Sequence, residues 1–168
     1  MTPETHQYRP SKLWKLLSAQ RRLEAAAAFW QEGSDASAAA QAVDAIARHL
    51  NFRHKSVMAL PDARKAQHLA ALPAIPDALA ARLLITYHLA AQRPMMAAFL
   101  DALGLAHDNG LITAEHVSPP DAARCRQAAR SLATAFPRED VSLYLATLVS
   151  QDEDTWAELK KAMLNAEL

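Results

Sequence analysis

The chain has 168 residues, 51% hydrophobic and 21% charged, with 18 basic side chains against 18 acidic ones. That length suffices for one self-supporting core, and that balance excludes a disordered chain, which would be poorer in apolar residues and richer in net charge. The single cysteine, Cys125, excludes an internal disulfide framework, and no apolar run exceeds the six residues of Ala25 to Trp30, far short of the roughly 20 that span a bilayer.

Alanine and leucine number 38 and 23, against 5 valines and 4 isoleucines. Ala and Leu lose little freedom in a helix, whereas the β-branched residues that favour strands are scarce, so the fold class is all-α. The expectation is a single irregular bundle of about eight helices over residues 1–168, with residues 1–11 flexible or extended. The polar start, MTPETHQYRPSK, lacks the apolar core of an export signal, so a cytoplasmic location without membrane contact is expected.

In chain order, a short helix is predicted around Lys12 to Leu17. A second follows at Ala19 to Gln31, with Ser18 as N-cap and Gly33 as its end, and a third at Ala36 to Leu50 behind Ser34 or Asp35. A short segment over Arg53 to Leu60 leads to a helix at Asp62 to Leu72. The segment Asp77 to Gln92 is apolar nearly all round and is expected at the centre of the bundle, with Met95 to Leu103 close behind it. Leu105 to Pro120 reads as non-helical; Asn109 and Gly110 suit a positive-φ turn flanked by a short extended pair through Leu111 and Ile112. Helices at Asp121–Phe136, Arg138–Ser150 and Asp154–Ala166 complete the chain. Prolines 61, 76, 94 and 120 open segments, where a missing N–H costs nothing.

Enzyme signatures are missing. Three isolated glycines allow neither a P-loop nor a dinucleotide-binding turn, and no Gly-x-Ser-x-Gly elbow occurs. No two of the seven histidines are three or four apart and no Glu-x-x-His occurs, so neither a metal nor another cofactor is expected. A calcium loop registered on Gly110 would place Leu105, His107 and His116 where oxygen ligands belong, and is rejected. Cys125 aligns with Ala128, Ala129, Leu132 and Phe136 as a packed core thiol, and Trp14, Trp30 and Trp156 read as packing residues. His88 shares a face with Ala81, Leu84 and Ala91; it is either a core histidine or, with Tyr87 and Arg93, part of a small-ligand pocket.

The most motif-like stretch is Ala42 to Leu60, AVDAIARHLNFRHKSVMAL, which resembles the helix-turn-helix of bacterial regulators. Ala47 is small enough for a close crossing, Asn51 tolerates a left-handed turn, and Phe52, Val57 and Leu60 would seat the second helix on the first. The resemblance implies that Arg53, His54, Lys55 and Ser56 face outward as donors to phosphates or base edges, with Arg48, Arg64 and Lys65 widening the basic patch. Charge is also split between the halves. Residues 1–100 hold 12 basic and 7 acidic residues, and residues 101–168 hold 6 and 11, which suits either a binding face or pairing between halves. The expected function is a non-catalytic protein-interaction or regulatory module with a protein partner or self-association, the alternatives being DNA binding at 42–60 and a ligand or enzyme site near His88.

Overall fold

The computed structural model describes residues 8–32 and 35–165. Ten helices occur among them: α1 Pro10–Leu16, α2 Ala19–Gln31, α3 Ala36–Leu50, α4 His54–Met58, α5 Asp62–Ala70, α6 Asp77–Ala91, α7 Arg93–Leu103, α8 Ala122–Ala135, α9 Arg138–Gln151 and α10 Ala157–Leu164. Two short strands, β1 His107–Asp108 and β2 Leu111–Ile112, lie between α7 and α8. Each of the ten falls on one of the nine helices or the short Arg53–Leu60 segment expected in chain order, so the bundle total of about eight was an undercount.

Local chemistry accounts for most boundaries. Ser18, Asp35 and Asp121 each accept a hydrogen bond from the backbone N–H three residues on, closing the N-termini of α2, α3 and α8. Helix α1 starts at Pro10, ahead of the expected Lys12, because proline is pre-set for a first helical position. Positions 10 and 11 are therefore helical and not extended, while residues 1–7 lie outside the described residues. So do Gly33, the expected end of α2, and Ser34, one of the two N-cap candidates for α3.

The chain packs as two compact units, Arg9–Ala90 and the described chain from Ala91 onward together with Tyr8. In the first, α2 lies along α5, and fully buried Ala25, Ala26 and Ala66 let the backbones approach between Phe29 and Leu69. Helix α3 packs on both α4 and α5. Helix α1 is tied to the first residue of α6. Arg9 donates to Asp77 Oδ2 from Nε and Nη2 (3.0 and 2.5 Å), and the Ser11 N–H donates to Oδ1 at 3.0 Å. Bonds from Ser11 and then Arg9 hold the Asp77 carboxyl down at about 2.

In the second unit α8 packs on α7, α9 and α10. Helix α9 is its most enclosed element: from Asp140 to Val149 only Ser142 is exposed. A central role was expected for α6 alone, because polar residues within α9 masked its burial. Thr147 is one of them, and its hydroxyl is satisfied by donating to the Leu143 carbonyl at 2.8 Å. Phe99 meets Tyr144 edge-on at 5.8 Å and lies 6.0 Å from Trp156, joining α7, α9 and the start of α10.

The irregular stretch forms the anticipated turn. Asn109 (φ 46°) and Gly110 (φ 91°) link a two-residue antiparallel hairpin with His107 opposite Ile112 and Asp108 opposite Leu111. Arg93 donates to the Asn109 carbonyl at 2.8 Å. The Gly110 N–H donates to His107 Nδ1 at 3.1 Å, so the ring proton sits on Nε2, which meets Asp101 Oδ1 at 2.8 Å. A Cβ on Gly110 would lie 2.8 Å from Met96 Cβ, so only glycine lets the hairpin sit this close to α7.

Candidate functional site

The corner between α3 and α4 is built by one left-handed residue. Asn51 (φ 54°, ψ 41°) ends α3; its own N–H reaches the Arg48 carbonyl, and the Phe52 N–H donates to the Ala47 carbonyl at 2.9 Å. Extended backbone at Arg53 then starts α4, which stops after five residues because Leu60 precedes Pro61 and is steered away from helical geometry. Ile46, Ala47 and Val57 fill the inside of the corner at 0, 3 and 0% exposure, and Leu60 is half-buried. Phe52 does not help to seat α4, contrary to the sequence expectation. With that interior already filled, its ring in the connecting link is 49% exposed. Met58, at the far end of α4, is 66% exposed.

Arg53, His54, Lys55 and Ser56 all face solvent, as do Arg48 and Arg64, but the seven expected donors do not form one free basic patch. Asp44 takes two of them, His54 Nε2 at 3.0 Å on Oδ1 and Arg48 Nε at 2.9 Å on Oδ2. The His54 bond, ahead of Arg48, holds the Asp44 carboxyl below its usual range. Lys65 is largely covered: it meets Asp62 at 2.8 Å and lies 4.6 Å over the Trp30 ring, joining α5 to α2. Arg64 donates to Gln67 at 3.3 Å. Among the described residues, Arg53 and Lys55 are left with no ion pair.

The same Asp44 and Arg48 line an open groove of about 630 Å³ beside the corner. Gln41, Ala45 and His49 supply the rest of its α3 wall, while Leu72, Pro73, Pro76 and Ala78 come from the α5–α6 link and the start of α6. A shallower hollow of about 380 Å³ continues it past Gln41 and Ala78 to Asp35, whose carboxylate pairs with Arg82. The α3 side was open to discovery, since 41, 45, 48 and 49 recur at helical spacing. The opposite wall comes from residues up to 37 positions away, and no local pattern announces it.

Tyr87 and His88 are 3% and 1% exposed, with rings edge-on at 5.5 Å. Burial pushes the His88 imidazole down to about 4, so the ring is neutral at physiological pH. Arg93 is engaged with the Asn109 carbonyl, and none of the three residues lines either groove. Cys125 is fully buried, its thiol pushed up to about 11 by burial and then by Asp121 and Glu158. Among the described residues no three His, Cys, Asp or Glu side chains converge as a metal site, and no helix is long and apolar enough to cross a membrane. Comparison with protein-family models, with curated proteins and with solved structures finds no match.

Proposed function

We propose that the chain is a non-catalytic, cytoplasmic interaction or regulatory module that docks a protein partner at the α3–α4 corner. One observation carries this reading: Phe52 and Met58, which flank the unpaired cations Arg53 and Lys55 along the chain, are both exposed. Exposed apolar groups clustered among polar ones mark docking surfaces, whereas apolar side chains scattered singly need no explanation. Five large apolar side chains are exposed among the described residues, and two of them fall within seven consecutive positions here.

A photo-cross-linking residue in place of Met58 tests the reading in cells that make the protein, with the same group at exposed Ala123 on α8 as control. A discrete protein adduct at 58 that is missing at 123 is expected, and an adduct of twice the chain mass would identify self-association. No adduct at 58, or the same ladder at both positions, overturns it.

The outward display of Arg53 to Ser56 favours DNA binding as a second reading. It has less support, because a five-residue helix is only about 7.5 Å long and Asp44 already holds two of the neighbouring donors. Fluorescence anisotropy on mixed-sequence duplex DNA over a salt series decides it, since phosphate contacts must produce salt-dependent affinity. The ligand-pocket reading at Tyr87, His88 and Arg93 has the least support, given the burial of both rings and the bond that occupies Arg93.

A further inference from the structure

We infer that the corner selects an acidic, amphipathic protein segment: carboxylates for Arg53 and Lys55, with an apolar side chain seated between Phe52 and Met58. The assignment rests on the reading of this corner as a protein-docking surface. It follows from where the acids are and where they are not. No acidic residue occurs between Asp44 and Asp62, although the stretch contains Arg48, Arg53 and Lys55 and two histidines. The bounding acids spend their charge at the edges, Asp44 on Arg48 and His54 and Asp62 on Lys65. The two central cations have no counter-charge of their own among the described residues, so carboxylates on a partner would complement them without displacing an internal pair.

Spacing joins the charge to the apolar groups. Phe52 adjoins Arg53 in the link, and Lys55 precedes Met58 by three positions, so that pair shares one surface of α4. Methionine is unbranched and adapts to the shape of an incoming side chain. A bare phosphate backbone would satisfy the cations and leave both apolar side chains in water, whereas a segment alternating carboxylates with an apolar residue satisfies all four.

The test pans displayed random 12-residue peptides on the whole 168-residue chain, with counter-selection on the bare support only. Selected peptides are then measured by anisotropy. All substituted positions are solvent-exposed, and circular dichroism checks that the variants keep their helix content. Enriched peptides are expected to be net acidic with at least one large apolar residue. They should lose at least tenfold in affinity for R53E/K55E and about tenfold for F52S/M58S, and bind several-fold more weakly as salt rises from about 50 to 300 mM. Neutral or basic winners, or affinity indifferent to either double variant, overturn the assignment. So does tighter binding to duplex DNA or to phosphatidylserine vesicles measured in parallel. A discrete Met58 cross-link without acidic enrichment would leave the docking surface standing and remove only its acid preference.

Discussion

The buried His88 ring couples the stability of the Arg9–Ala90 unit to pH. Unfolded, the imidazole titrates at about 6.5; in the folded chain burial lowers it to about 4. Above 6.5 both states are neutral and the contribution is complete. Between the two values the unfolded chain binds a proton that the native state refuses, so stability falls as pH falls; below 4 both states are protonated and the loss stops. A gap of about 2.5 pH units, at about 1.4 kcal/mol each, amounts to ~3 kcal/mol, a large share of the ~5–15 kcal/mol that holds a typical domain together. Urea titrations between pH 7.5 and 4 measure it. A Trp156→Phe background confines the emission to Trp14 and Trp30, both in this unit. His88→Gln cannot titrate, so wild type should lose about 3 kcal/mol more than the variant across that interval, whatever the substitution costs at pH 7. The carboxyls of Asp35, Asp44 and Asp77 are all held below their ordinary 3.8 and act at lower pH, outside this window. Parallel curves for the two proteins would refute the reasoning.

Three further outcomes are expected. Gly110→Ala must adopt φ near +91° and push its Cβ against Met96, at a cost of about 1–3 kcal/mol; a melting temperature equal to wild type, followed on Trp156, would contradict it. Asn51→Gly should match or exceed wild-type stability while Asn51→Ala loses about 1 kcal/mol, because only the latter raises the cost of the left-handed turn; urea midpoints in the reverse order would refute this. Cys125 should resist iodoacetamide at pH 8 in the native chain and react at once in denaturant, and equal rates in both states would mean that the thiol is not shielded.

How much was legible in the sequence follows from the range of each interaction. Ser18 capping α2, the helix starts led by Pro61, Pro76, Pro94 and Pro120, Asn51 ending α3 and the Asn109–Gly110 hairpin were readable, because each joins groups a few residues apart, whereas the start at Pro10 was missed. The all-α class was readable from the excess of alanine and leucine over β-branched residues. The turn between α3 and α4 lies where the sequence reading put it, but which of its apolar residues would be exposed was not legible. Val57 and Phe52 are both apolar, and only the packing of α4 on α3 decided that one would be buried and the other exposed. The free charges were likewise undecidable from composition. Asp44 reaches His54 ten positions on, Lys65 lies over Trp30, and Arg9 finds Asp77 sixty-eight positions away. Backbone preference acts within a turn or two of chain, so the sequence by itself determined the helices, their caps and the hairpin. Charge pairing and burial depend on which surfaces meet, so only tertiary structure decided that Arg53 and Lys55 stay unpaired while Arg48 and His54 do not, that Phe52 is exposed while Val57 is buried, and that a groove opens along α3.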